Sequence, residues 1–120
     1  MTPDIGKHIL TNMRTHQQSQ LDALGDPTRR AIVGRLLDGP LAVGTLARGF
    51  PMSRPAISQH LRVLKRANLV VDRADGARRL YALDAAGFET LRSYLDQFWT
   101  HALDAFKRKV EEPPTLVRKR

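Results

Sequence analysis

The stretch SRPAISQHLRVLK at residues 53–65 has the pattern of a helix with a marked beginning, a buried side and a polar side. The Ser53 hydroxyl can accept a hydrogen bond from a first-turn backbone N–H, and Pro55 lies where a missing N–H has no cost. Apolar side chains recur at helical spacing along one side, at Ile57, Leu61 and Leu64. This spacing predicts that one side of the helix faces a core.

The opposite side of this predicted helix is polar and basic. Its side chains are those of Arg54, Ser58, Gln59 and Arg62. Arginine and glutamine can make paired hydrogen bonds to base edges, and a serine hydroxyl can contact several kinds of base. The pattern is typical of a recognition helix that enters the major groove of DNA.

The residues before this stretch predict two further helices. Asp26 can cap a helix that starts at Pro27, and a Gly-Pro pair at 39–40 ends it. A short helix is expected over about 43–48, and a glycine-containing turn at 49–52 leads into the recognition helix. The expected buried positions of the two helices are Ile32, Val33, Leu36, Leu37, Val43, Leu46 and Ala47. Two helices joined by a short turn make a helix-turn-helix.

A β-hairpin is predicted after residue 67. Strand-like runs at 69–71 and 80–83 are separated by a loop that contains Asp75 and Gly76, a dipeptide typical of hairpins. The arginines near its tip are Arg73, Arg78 and Arg79. Hairpin tips are often polar only because they are solvated. Three arginines beside a recognition helix nevertheless favour a wing that contacts phosphate or enters the minor groove.

A long helix over about 85–110, capped by Asp84, is predicted to follow the hairpin. It carries two apolar strips: Phe88, Leu91, Leu95, Phe98, Ala102 and Ala105 form one, and Tyr94, Trp99, Leu103 and Phe106 form the other. We expect the domain's own core to cover one strip and a second subunit to cover the other. A single wide face packed within one chain is the alternative, but residues 25–83 offer too little surface to cover both strips.

Length and charge bound the class of protein. The chain has 120 residues, enough for one domain. We assign residues 1–13 to a flexible N-terminal extension, 14–110 to one folded domain whose first helix covers about 14–24, and 111–120 to a basic tail. Twenty basic residues against 12 acidic ones give a net charge of +8, which attracts nucleic acid or an anionic membrane surface.

The placement of charge favours nucleic acid. Residues 53–83 hold seven lysines and arginines but only two acidic residues, Asp72 and Asp75. The sequence has no cysteine, so neither disulfides nor thiolate metal sites can form. No apolar run has the length of a membrane span or of a signal peptide's apolar region, and we therefore expect a cytoplasmic protein without a membrane partner.

In these motifs the sequence resembles the ArsR/SmtB family of winged helix-turn-helix bacterial regulators, over about residues 21–110. The matching motifs are LGDPTRRAI at 24–32, LA at 46–47, SRPAISQHLRVL at 53–64, LV at 69–70 and GARRLYAL at 76–83. The resemblance implies a mainly α fold of about five helices with a two-stranded antiparallel wing. It further implies a homodimer, paired through its first and last helices, that represses by occupying an inverted-repeat operator in double-stranded DNA. Control of its own gene is one role open to such a repressor.

The residue pattern and the resemblance together predict two sets of site residues. The DNA-binding set is Ser53, Arg54, Pro55, Ser58, Gln59, His60, Arg62, Lys65, Arg73, Arg78 and Arg79. Within it, Arg54, Pro55, Ser58 and Gln59 are the base-reading candidates, whereas His60 and Arg62 are expected at the DNA backbone or at the inner edge of the helix. The dimer set is Leu21, Leu91, Tyr94, Leu95, Phe98, Trp99, Ala102 and Phe106.

The sequence departs from the metal-sensing pattern of the family. Founding members use a cysteine pair near the third helix, or Asp, His and Glu on the last helix. The last helix of this chain offers His101 with Asp104 and Asp96, and zinc usually takes several nitrogen or sulfur ligands. We expect no metal or other cofactor and leave the effector open. A metal-responsive repressor with His and Asp ligands, to which His8 and His16 could contribute, is the alternative.

Two other classes of protein fit the sequence less well. An enzyme would need a nucleophile motif, a glycine-rich phosphate cradle or paired carboxylates in a pocket, and none is present. A winged helix used only for protein contacts would not need the base-reading side chains Arg54 and Gln59. The sequence therefore predicts a DNA-binding transcriptional regulator.

Overall fold

The computed structural model describes residues 17–111 of the chain. In chain order its elements are α1 (17–23), α2 (Pro27–Leu36), β1 (Leu41–Ala42), α3 (Val43–Ala47), α4 (Arg54–Arg66), β2 (Val70–Asp75), β3 (Arg78–Leu83) and α5 (Ala85–Glu111). Five helices and a small antiparallel sheet confirm the predicted winged helix-turn-helix. The predicted extension at 1–13 and residues 112–120 of the predicted tail lie outside the described residues.

The predicted caps of α2 and α4 are confirmed. Asp26 accepts a hydrogen bond from the backbone N–H of Arg29 at 3.0 Å, and Ser53 accepts one from Ala56 at 3.2 Å. In both helices proline lies in the first turn, where its backbone has no donor to lose. Local sequence therefore fixes where both helices begin.

The core is centred on the inner side of α4. Ile57, Leu61 and Leu64 are at most 1% exposed, as predicted. They pack with Ile32, Leu36, Leu46, Leu69 and Val70 in one cluster. Leu37, which the sequence predicted as buried, is 71% exposed because α2 ends at Leu36 and its buried stripe is restricted to Ile32 and Leu36.

The sheet has a strand that the sequence did not predict. Its order is β1-β3-β2, and Leu41 and Ala42 of β1 pair with Tyr81 and Leu80 of β3. Two residues are too few to show the period-2 pattern of a strand. The expected two-stranded wing is therefore one part of a three-stranded antiparallel sheet.

The hairpin is also longer than predicted. β2 and β3 pair along their whole lengths, from Val70 with Leu83 to Asp75 with Arg78, so the arginines of the expected loop lie in strands. Only Gly76 and Ala77 form the turn. Gly76 has φ +64°, a conformation that favours glycine at this position of a two-residue turn.

α5 begins where the sequence predicted. Asp84 accepts a hydrogen bond from the backbone N–H of Gly87 at 3.2 Å. The helix runs for 27 residues, about 40 Å at 1.5 Å per residue. It therefore extends well past the other elements of so small a domain.

The first turn of α5 is held against α1 and against the segment that follows α4. The fully buried Gln20 of α1 donates from its side-chain amide to the Gly87 carbonyl at 3.1 Å. A Cβ added to Gly87 would lie 1.6 Å from the backbone oxygen of Asn68. α5 can approach this closely only because position 87 is glycine.

We predict that Gly87→Ala destabilises the fold by about 1–3 kcal/mol, because the new methyl group meets a backbone oxygen that cannot move as a side chain would. Gly34→Ala is the matched control, since a Cβ at this exposed helical glycine meets nothing within 4 Å. Gly34→Ala should stabilise by about 0.5–1 kcal/mol through its better helix propensity. Urea unfolding measures both changes, and equal shifts in the two variants would contradict the close approach.

Candidate nucleic-acid interface

The outer side of α4 is a polar surface. It faces solvent because the opposite, apolar side of the helix is buried in the core. Arg54, Gln59 and Arg62 are exposed and Ser58 is half-buried, while Ser53 and Pro55 are exposed at the start of the helix. Arg62 donates from its guanidinium to the side-chain oxygen of Gln59, so these two side chains form a linked pair. The predicted base-reading residues therefore lie on one accessible side.

The guanidinium of Arg54 lies beside α3. A Cβ built on Gly44 would lie 3.9 Å from the Arg54 guanidinium, which places this group over the small residue of α3. Within residues 17–111, Arg54 has no acidic partner. A guanidinium with its donors uncommitted can make the bidentate contact that guanine offers in the major groove.

His60 belongs to the predicted DNA-binding set, and the structure places it at the inner edge of α4. Its Nδ1 atom lies 3.2 Å from a terminal nitrogen of Arg29 in α2. Arg29 also donates through Nε to the Ala23 carbonyl at 2.6 Å. The contact fastens α4 to α2 and α1, a structural role for Arg29 that its sequence position did not suggest.

A single carboxylate organises the basic groups between α4 and the wing. Asp72 contacts Lys65 of α4 at 2.8 Å through one oxygen and Arg79 of β3 at 2.8 Å through the other. The Asp72 side chain is 8% exposed, whereas those of Lys65 and Arg79 are 55% and 54% exposed. Hydrogen bonds from Lys65 and Arg79 lower the pKa of Asp72 below its ordinary value of 3.8.

Sequence reasoning missed the role of Asp72. It counted this residue only as one of two acids in a basic region. The contact joins residues on three elements, and no spacing within one helix or strand indicates it. Only the tertiary arrangement brings Lys65, Asp72 and Arg79 together.

The wing carries arginines on both of its faces. Arg73 is paired in register with Leu80, and Arg79 with Ala74, so alternation places these two arginines on opposite faces. Arg78 contacts Asp75 at 3.3 Å. Arg73 is exposed and has no acidic partner within the described part of the chain. On the wing, Arg73 is therefore available to bind an anion without first breaking an ion pair, whereas Arg79 is already paired with Asp72.

The second half of α5 presents an apolar surface that no core residue among residues 17–111 covers. All residues from 96 to 111 are exposed. The large apolar side chains of this surface are Phe98, Trp99, Leu103, Phe106 and Val110, each 53–67% exposed. Phe98 and Trp99 are in an edge-to-face arrangement with ring centres 5.8 Å apart. We call these five side chains the α5 apolar surface.

Of the five other residues of the predicted dimer set, all but Ala102 lie closer to the domain's own core. Leu91 is 5% exposed and is a core residue of its own chain. Leu21, Tyr94 and Leu95 are half-buried, and Ala102 is exposed. The first half of α5 thus packs against the core of its own domain, whereas residues 96–111 are exposed.

The candidate metal ligands do not converge in the described residues. Within 17–111, no three His, Cys, Asp or Glu side chains lie close enough to hold a metal ion. Asp96, His101 and Asp104 are exposed along α5, and His8 and His16 lie outside the described residues. No helix among residues 17–111 is long and apolar enough to cross a membrane.

The fold and the exposed side of α4 define a winged helix-turn-helix protein. A model of the helix-turn-helix domain matches residues 24–73. The chain is 60% identical over 89 residues to the HTH-type transcriptional regulator Rv2034 of Mycobacterium tuberculosis, covering 74% of this chain and 83% of the relative. It is 40% identical over 62 residues to the transcriptional repressor SdpR of Bacillus subtilis, covering 52% and 69%.

Solved structures give the same result. An ArsR-like transcriptional regulator from Rhodococcus superposes with a TM-score of 0.71 at 28% identity, covering 85% of this chain and 99% of that one. The chain belongs to the ArsR/SmtB family of winged helix-turn-helix transcriptional regulators.

We predict that part of the stability of the domain is lost at low pH through Asp72 and Asp26. The backbone N–H of Arg29 lowers the pKa of Asp26, and the side chains of Lys65 and Arg79 lower that of Asp72. A carboxylate with a lowered pKa stabilises the fold above its unfolded-state pKa. That contribution disappears as the pH falls through the folded-state value, between about pH 5 and pH 2.

The measurement is urea unfolding of the wild type and of Asp72→Asn across this pH range. The wild type should lose stability as the pH falls, and Asp72→Asn should lose less because one of the two groups no longer titrates. Parallel curves for the two proteins would contradict the assignment to Asp72.

Proposed function

We propose that the protein is a homodimeric repressor that binds an inverted-repeat DNA operator through two copies of α4. The observation that carries this proposal is the polar side of α4, where Arg54, Gln59 and Arg62 are exposed above a completely buried apolar side. This arrangement fits a helix that inserts into the major groove and presents its first turns to base edges.

The contacts separate into two kinds. Arg54, Ser58 and Gln59 read base edges, since they lie in the first two turns of α4 and carry donors and acceptors. Lys65, Arg73 and Arg79 contact phosphates and set the register of the protein on DNA, which strengthens binding to every sequence. The net charge of +8 supports the second kind of contact.

The α5 apolar surface supports the proposed dimer. Five large apolar side chains exposed along one helix exceed the scattered apolar residues that a monomer normally leaves in water. They recur at heptad-like spacing, and a second copy of the same helix supplies a matching surface through twofold symmetry. Two copies of α4 held by this interface read two half-sites about 10 base pairs apart.

Repression is supported by the relative SdpR, which is described as a transcriptional repressor. A dimer that occupies a promoter can block transcription without catalysing a reaction. This mode of action is consistent with the relatives, which are named as transcriptional regulators. We further infer that the protein binds the region upstream of its own gene.

We predict that Arg54→Ala weakens binding to the operator by about 1–3 kcal/mol and relaxes discrimination at one base pair of each half-site, because a bidentate base contact is lost. Arg92→Ala is the matched control, since it removes the same charge from an exposed position on α5. Fluorescence anisotropy with operator variants measures the effect. Equal losses in the two variants, or equal binding of the wild type to operator and scrambled DNA, would refute the assignment.

We predict that Trp99→Glu raises the dissociation constant of the dimer at least about 100-fold, because a charge replaces a central aromatic side chain of an apolar interface. Leu37→Glu is the control, since Leu37 is even more exposed but lies at the end of α2. Sedimentation equilibrium should give two chains for the wild type and Leu37→Glu, and one chain for Trp99→Glu at micromolar concentration. A monomeric wild type would contradict the proposed dimer.

A further inference from the structure

We propose that Asp72 is a positioning residue for DNA recognition: it holds Lys65 of α4 and Arg79 of the wing in one fixed geometry, which raises discrimination between sequences while lowering affinity for DNA in general. This inference rests on the proposed function, because it concerns how the same interface selects its DNA. It assigns a role in binding to a residue that itself makes no favourable contact with a phosphate.

The geometry leaves both cations able to bind DNA. Asp72 uses one oxygen for each partner, and its contact with Arg79 is made to Nε. The terminal nitrogens of Arg79 remain for another acceptor, and an ammonium group such as that of Lys65 has three donors, of which this contact takes one. The two side chains are more than half exposed, whereas the acid beneath them is 8% exposed.

The contact joins two elements that must act together. Lys65 lies in the last turn of the recognition helix, and Arg79 lies in the wing strand β3. Asp72 lies on β2, between them in the fold, and is paired with Tyr81 in the sheet. The carboxylate therefore fixes the distance between two basic groups that belong to different elements.

Cationic side chains that are already ordered before binding and those that are mobile contribute differently to the affinity for DNA. Lysine and arginine side chains lose much rotamer freedom when they are ordered at an interface, and prior ordering removes part of that cost. Binding to a matched DNA site, where the phosphates lie at defined positions, becomes stronger when the cations are ordered in advance. Non-specific binding gains less, because any cation position near a phosphate is sufficient. At the same time the negative charge of Asp72 repels every DNA sequence equally.

Ordering of the two cations favours the matched DNA site, whereas the charge of Asp72 weakens binding to every DNA sequence. Substitution of Asp72 can therefore distinguish positioning from simple electrostatic repulsion. Asp72→Asn keeps the size of the side chain and removes the charge. If Asp72 only repels DNA, the variant binds all sequences better by the same factor. If Asp72 positions Lys65 and Arg79, the variant binds scrambled DNA better but loses discrimination.

Asp75→Asn is the matched control. It removes the same charge from the same strand, but the Asp75 side chain is 45% exposed and its one ionic partner within residues 17–111 is Arg78, three residues away at the wing tip. This variant should bind all sequences slightly better and keep the discrimination of the wild type.

The probes are a duplex selected by the wild-type protein from a random-sequence pool and a scrambled duplex of the same length and composition. Anisotropy titrations give the affinity ratio between them. We expect Asp72→Asn to lower this ratio at least tenfold while increasing affinity for the scrambled duplex, and Asp75→Asn to change the ratio less than twofold. An unchanged ratio in Asp72→Asn overturns the proposal. Failure to enrich any sequence with the wild type refutes the proposed function instead.

A second measurement does not depend on the folding of Asp72→Asn. Lys65→Gln, Arg79→Gln and the double variant leave the carboxylate in place. If Asp72 couples the two cations, the loss of affinity for the selected duplex in the double variant differs from the product of the single losses at least fivefold. A double variant whose loss equals that product overturns the proposal.

Discussion

The structure depends on the burial of one side of α4. Ile57, Leu61 and Leu64 are almost inaccessible to water, and this fixes the rotation of the helix about its axis. A helix places successive residues about 100° apart, so rotation by one residue would bury Ser58, Arg62 and Lys65 in place of the apolar side chains. The same apolar contacts that stabilise the domain therefore determine which side chains of α4 are exposed.

The basic residues around this helix have distinct environments despite their common charge. Lys65 and Arg79 share the carboxylate of Asp72, while Arg54 and Arg73 have no acidic partner within residues 17–111. The net charge of the chain attracts DNA at long range. The local partners of each cation decide which of them are free to adapt to a phosphate or a base and which are held in place.

Local interactions could be predicted from the sequence, and tertiary ones could not. The starts of α2 and α4 were predictable because Asp26 and Ser53 bond backbone groups three residues away. β1 escaped prediction because two residues carry no periodicity, and Leu37 was misplaced because the end of α2 limits its buried stripe. The roles of Asp72 and of the buried Gln20 depend on partners from other elements, for which no sequence pattern exists. The apolar strips of α5 were visible in the sequence, but only the structure shows that, within residues 17–111, the core ends near Leu95 and the α5 apolar surface is exposed.

The proposed dimer would hold two recognition helices at a fixed separation on DNA. Hydroxyl-radical footprinting of the wild type on the region upstream of its own gene tests this most directly. We expect protection at two half-sites of an inverted repeat, centred about 10 base pairs apart. Protection of one half-site alone, or even protection along the whole fragment, would contradict the account.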